Sequence, residues 1–202
     1  MREINLEPIN NSSFDMFEKF NSLNYTKKFL EHRKIFYWGP VYDSTAKEIV
    51  DQLMYLEMTD PGKEITLYLN SPGGSVTAGL TIYDTMQMIS SPVSTICFGL
   101  AASMGAVLLS GGEKGRRFVY PNSEIMIHQP SIGGYIQDQS TNLEITADQI
   151  NKTKQQLAKI LADNCGHSVE KILADGERDY WMDAKESVEY GIVDEIVTKI
   201  RF

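Results

Sequence analysis

Three times in succession the chain passes from a short apolar segment, through a turn of small residues or proline, into a stretch with helical apolar spacing. The first segment is Ile35–Trp38, ended by Gly39-Pro40. The second is Ile65–Leu69, ended by Asn70-Ser-Pro-Gly-Gly74, and the third is Val93–Phe98, ended by Gly99. Charge-free runs rich in β-branched and aromatic residues read as buried strands. Strands that alternate with helices of this size form a parallel sheet joined by right-handed crossovers. The pattern predicts an α/β fold.

The helical stretches are amphipathic or apolar. Ala46, Ile49, Val50, Leu53 and Met54 share one face of a helix that ends before Asp60-Pro-Gly62, with Ser44 or Thr45 and Glu48 as a capping box at its start. Leu80, Tyr83, Met86 and Ile89 mark the second helix, and Met104–Leu109 is apolar throughout. Short strands are expected at Phe118–Tyr120 and Ile125–Ile127. A polar stretch over Ser131–Thr141 and a long helix from about Leu143 to Asn164 follow. That helix carries Ile145, Ile150, Leu157, Ile160 and Leu161 diluted by Thr, Gln and Lys, the pattern of an arm packed on one side. A short helix at Val169–Leu173, a helix capped by Asp183 with Glu186, and a final strand Ile192–Val197 complete the reading. Residues 1–25 are polar, with Phe14, Phe17 and Phe20 at three-residue spacing.

The length of 202 residues fits a single domain. A net charge of -8, without any basic run, argues against nucleic-acid binding, and no apolar run is long enough to span a membrane. Two cysteines without C-x-x-C spacing and three histidines without a metal pattern give no expectation of a metal site and suit a reducing cytoplasm. Gly73-Gly74 follows a strand and precedes a helix, yet neither G-x-G-x-x-G nor a Walker loop is present, so no nucleotide site is expected.

What remains points to acyl chemistry. Ser103 falls at a strand-to-helix corner, where free backbone N–H groups favour developing negative charge; the alternative is a serine that only caps the helix. His128 leaves a core strand at its carboxyl end, the edge where ligands gather in open α/β sheets, and Gly73-Gly74 ends a strand at the same edge, where backbone N–H groups can face an oxyanion. A serine nucleophile needs a base beside it and an acid to orient that base. Spacing does not choose among Asp163, Asp175, Glu177, Asp179 and Asp183. Asp183 already serves as a cap, and Asp179 precedes Tyr180-Trp181-Met182, an apolar patch expected to bury it against an imidazole.

With those residues in view, the chain resembles the family of Clp protease proteolytic subunits (ClpP) over roughly Ile35–Val197. The serine signature reads Thr95-Ile-Cys-Phe-Gly-Leu-Ala-Ala-Ser103-Met-Gly-Ala, and the histidine signature Arg117-Phe-Val-Tyr-Pro-Asn-Ser-Glu-Ile-Met-Ile-His128-Gln-Pro. Asn70-Ser-Pro-Gly-Gly74, Thr77-Ala-Gly, Ile82-Tyr-Asp-Thr-Met-Gln87 and Glu189-Tyr-Gly-Ile-Val-Asp194 are also similar. The resemblance implies a crotonase-like spiral of βαβ units, a single peptidase domain over residues 1–202, and a protruding handle over 131–164. It implies Ser103 as nucleophile, His128 as base and then acid, Asp179 as the residue that orients His128, and an oxyanion hole from the Gly74 and Met104 N–H groups. It also implies two stacked heptameric rings, and an AAA+ unfoldase partner of the ClpX, ClpA or ClpC type that consumes ATP. The substrates would be peptides and unfolded proteins, with no cofactor in this chain. The axial segment 1–25 departs from the family pattern, which leaves open a non-autonomous or structural subunit of a mixed ring with a second ClpP-like chain. An acyl-CoA enzyme of the same broad fold is the other alternative.

Overall fold

The structure, a computed structural model, describes residues 25–130 and 140–199. Residues 1–24 of the expected axial segment, with its three phenylalanines, and residues 131–139 of the expected handle lie outside the described residues.

A short helix, α1 (residues 25–31), leads into β1 (Lys34–Trp38), which pairs in parallel with β2 (Ile65–Ser71), and β2 with β3 (Val93–Ala102). The connections are α2 (Asp43–Thr59) and α3 (Val76–Met88), and α4 (Met104–Ser110) leaves β3. β4 (Arg117–Val119) and β7 (Glu195–Ile196) extend the parallel order to β1-β2-β3-β4-β7. β5 (Glu124–Ile127) pairs in parallel with the far half of β3, and β6 (Tyr180–Met182) pairs antiparallel with β5. The sheet is therefore mixed. α5 (Ser140–Cys165), α6 (Val169–Asp175) and α7 (Ala184–Tyr190) complete the described elements.

β3 is the shared strand. Thr95–Cys97 pair with Arg117–Val119 of β4, and Leu100–Ala102 pair with Glu124–Met126 of β5. The change of partner falls at Gly99, whose φ of +105° is open to glycine alone at low cost, and a Cβ there would lie 2.7 Å from Asn70 Nδ2. The Gly99 N–H donates to Ser123 Oγ at 2.9 Å. The expected end of the strand at Gly99 is thus a bend. Ala101 and Ala102 are small because the continuing strand is buried there, not because the chain turns.

One face of the sheet is aliphatic. Ile35, Leu67, Leu69 and Cys97 pack with Leu53, Ile82, Met104 and Leu108 from the helices, all essentially without exposure. Each such leucine or isoleucine stabilises the fold by roughly 1.5–3 kcal/mol. The other face is aromatic. Phe36 stacks on Tyr68 with ring centroids 4.4 Å apart, and Trp38 meets Phe98 edge-on at 5.2 Å. Tyr68 is buried in this face, whereas Phe36 is 38% and Trp38 70% exposed.

Three further expectations change. α2 starts at Asp43, and the bond at its start runs from the Tyr42 N–H to Thr45 Oγ1 at 3.0 Å, in place of the expected box of Ser44 or Thr45 with Glu48. The last strand is only Glu195–Ile196, while Ile192 and Val193 are buried in the turn before it. Tyr180–Met182, read as an apolar patch, is a strand. The Asp183–Glu186 box is present, with Asp183 Oδ1 accepting the Glu186 N–H at 2.8 Å and Glu186 Oε2 accepting the Asp183 N–H at 2.9 Å. α5 divides as its composition suggested: Leu157, Ala158, Leu161 and Ala162 are buried, whereas Thr141–Ile145 are exposed.

Candidate active site

Ser103 joins β3 to α4 with φ 55° and ψ -120°, a conformation that costs a non-glycine residue on the order of 1–3 kcal/mol. The surrounding backbone holds it there. Its N–H continues the β5 ladder to Met126 O at 2.8 Å, and its carbonyl accepts the Ala106 N–H at 3.0 Å inside α4. The side chain makes no capping bond to the helix. Its Oγ instead lies 2.9 Å from His128 Nε2.

His128 follows β5 directly, and the β5–β6 register explains its second contact. Ile125 faces Met182, Met126 faces Trp181 and Ile127 faces Tyr180. One step further along the same antiparallel register, His128 faces Asp179, and His128 Nδ1 lies 3.0 Å from Asp179 Oδ1. An ionised carboxylate can only accept, so Nδ1–H donates to Asp179 and Nε2 is left to accept the Ser103 hydroxyl proton. The expected burial of Asp179 does not occur. Its side chain is 60% exposed, and Tyr180 and Trp181 are themselves 38% and 51% exposed, because only Met182 of that strand turns into the core.

The other acidic candidates are engaged elsewhere. Asp163 pairs with Lys159 at 2.9 Å, and Asp183 caps α7. Asp175 meets Lys171 Nζ and the Tyr190 hydroxyl at 2.7 Å each. Burial works to raise the Asp175 carboxyl, yet those two donors outweigh it and hold it below its ordinary value. Glu177 Oε2 lies 3.6 Å from Lys154 Nζ.

The glycine turn after β2 lies against the serine corner. A Cβ on Gly73 would fall 2.7 Å from Ser103 Cβ and 2.8 Å from Met104 N, so the backbone approaches as closely as only glycine permits. Val41 pairs with Gly74 as an isolated parallel bridge, its N–H donating to Gly73 O and its carbonyl accepting the Ser75 N–H, each at 2.8 Å. Those two bonds straddle Gly74, and in a parallel pair the straddled residue turns its own N–H to the opposite side. Gly74 has φ +146°, and a Cβ there would lie 2.4 Å from Val41 O. Beside His128 an apolar cleft is lined by Ile127, Pro130, Leu157, Leu161 and Leu173.

A protein-family model described as Clp protease matches residues 18–200. The chain belongs to the Clp protease family. In this Clp protease family member the described residues contain no group of His, Cys, Asp and Glu arranged to hold a metal ion. No helix among them is long and apolar enough to cross a membrane. Both cysteines are free; burial pushes the Cys97 thiol up to about 12 and the Cys165 thiol up to about 11, so neither is a ready nucleophile. Reading the sequence missed Val41, which pairs with Gly74, and the contact of Gln129, next to His128, with Lys154 of α5. It missed β6 as well, whose three residues are too few to show a period.

Proposed function

We propose that this chain is a serine endopeptidase of the Clp type, with Ser103 as nucleophile, His128 as general base and then acid, and Asp179 as the group that orients the imidazole. The contiguous relay from Ser103 Oγ to His128 at 2.9 Å and on to Asp179 at 3.0 Å carries the reading. Ser103 Oγ attacks the carbonyl carbon of a peptide bond while His128 Nε2 takes its proton. The Gly74 and Met104 N–H groups donate to the oxyanion, and the Met104 N–H opens a helix, where the backbone dipole favours that charge. His128 then protonates the departing amine. Water, activated by the same imidazole, releases the acyl group from Ser103.

The peptidase is proposed to work as stacked heptameric rings enclosing a chamber, fed with unfolded chains by an ATP-consuming AAA+ unfoldase in the cytoplasm. Two features support assembly: the exposed Phe36 and Trp38 on the aromatic face, and the exposed first turns of α5, which suit a handle between rings. No metal or other cofactor enters the proposed chemistry of this chain. An acyl-CoA enzyme of crotonase type would use the same oxyanion donors but has no need of a serine–histidine relay, so the relay favours the peptidase.

The test is hydrolysis of a short fluorogenic peptide by the purified chain and by Ser103→Ala, with fluorophosphonate labelling of Ser103 and native mass of each sample. Ser103→Ala is expected to lower kcat by about 10⁶-fold while leaving the assembly unchanged. A wild-type chain that neither labels nor cleaves, alone or mixed with a second ClpP-like subunit, overturns the reading.

A further inference from the structure

Asp179 is mostly exposed, and His128 is the one described partner of its carboxylate. What holds it in place must therefore be the loop between α6 and β6, not the surroundings of its own side chain. The β5–β6 ladder reaches Ile127–Tyr180, and beyond it the loop is fastened to the end of β5 through Gln129. The Gln129 N–H donates to Gly176 O at 2.8 Å, and Gln129 Nε2 donates to Glu177 O at 3.2 Å. Gly176 also lies against His128, where a Cβ would meet the Cα and carbonyl carbon at 3.6 Å, an ordinary van der Waals contact.

The second of those bonds depends on which way the Gln129 amide is turned, and Lys154 of α5 decides that. Lys154 Nζ, a donor with no acceptor capacity, lies 2.8 Å from Gln129 Oε1, which leaves Nε2 to face the Glu177 carbonyl. The same ammonium lies 3.6 Å from the Glu177 carboxylate. An ion pair so exposed on its acidic side contributes little by itself, but the Lys154 side chain is only 25% exposed and its stem lines the cleft beside His128.

We propose that Lys154 is a positioning residue for Asp179, acting through the Gln129 amide and the Glu177 carbonyl. The proposal rests on the peptidase reading. In Lys154→Met the stem that lines the cleft is kept and the ammonium removed. The amide is then free to rotate, the Glu177 carbonyl loses its donor, and beyond the β5–β6 ladder the loop carrying Asp179 keeps only one of its two bonds from Gln129.

The experiment measures kcat and KM for a short fluorogenic peptide with the assembled wild type, Lys154→Met, Lys154→Arg, Asp179→Asn and the double variant Lys154→Met/Asp179→Asn. A displacement of the acid lowers kcat of Lys154→Met by about tenfold with KM unchanged, since the loss is one of orientation. Lys154→Arg, which retains a donor, recovers most of it. Because Lys154 acts only through Asp179, the double variant is no slower than Asp179→Asn, whereas a general structural defect adds to it. Wild-type kcat in Lys154→Met, or additive losses in the double variant, overturns the proposal while leaving the peptidase reading intact. A wild type that neither cleaves nor labels at Ser103 overturns both.

Discussion

Asp194 and Asp179 each meet a basic side chain beside a short strand, and the fold treats them in opposite ways. Asp194 is saturated: its Oδ1 accepts from an Arg117 terminal nitrogen at 2.6 Å, and its Oδ2 accepts Arg117 Nε at 3.0 Å, the Arg117 N–H at 2.9 Å and the Gly115 N–H at 2.8 Å. Arg117 is itself almost wholly buried, and its remaining terminal nitrogen donates to Asn164 O at 2.8 Å, tying β4 to the end of α5. Asp179 has one partner and faces solvent. A carboxylate whose acceptor capacity is spent on fixed donors is a joint. One that engages a single imidazole, which in turn engages a hydroxyl, is placed to orient that imidazole.

The contrast breaks most visibly at Asp179. With the peptidase reading, Asp179→Asn lowers kcat by about 10⁴-fold, because an amide no longer enforces the imidazole tautomer, while thermal unfolding stays at the wild-type midpoint. A large loss of stability in that variant would mean that Asp179 is a joint too. Asp194→Ala is expected to do the reverse, destabilising the chain by about 3 kcal/mol in denaturant titration by leaving the Arg117 guanidinium buried and unpaired.

Acid sharpens the comparison further. Burial works to raise the Asp194 carboxyl, but the bonds from Arg117 and the backbone N–H groups outweigh it and hold it below its ordinary value of 3.8. A depressed folded-state value means that the stabilisation is fully present above that ordinary value and is lost as pH falls through the lower one. Asp194→Asn should therefore flatten the acid limb of the stability curve, read as urea midpoints from pH 7 downward. The smallest expected effect lies at Glu57, whose carboxylate accepts from the Ser90 hydroxyl at 2.5 Å and from the Ser90 and Ser91 N–H groups at 3.0 Å each. Those serine bonds bring it from 4.5 down to about 2, so Glu57→Gln should differ slightly from wild type at pH 7 and converge with it as pH falls from 4.5 toward 2.

What was legible in the sequence was whatever depended on neighbours along the chain. The strand–helix alternation, the Asp183 cap and the half-apolar character of α5 all follow from local spacing. Ser103 and His128 were placed at one sheet edge because both follow strands that run the same way. The elements that failed depend on partners far away. Gly99-Leu-Ala-Ala reads as a turn unless one knows that β5 continues the ladder beside it. Tyr180–Met182 carries no period, yet its register with β5 brings Asp179 opposite His128. The burial expected for Asp179 failed because Tyr180 and Trp181 after it are both exposed, and only Met182 turns inward. The Ser103 cap was a fair alternative from composition, and only the torsion angles at the corner direct the hydroxyl away from the helix.

The division of β3 at Gly99 gives the sheet the form of a fork. One tine, β4 with β7, is bolted by Arg117 and Asp194; the other, β5 with β6, carries the histidine and the acid and ends in solvent. Both tines root in one core, through Val119 on the first and Ile125, Ile127 and Met182 on the second, so the relay stands on the tine that packing and strand pairing hold, not on the one fixed by the Arg117–Asp194 pair.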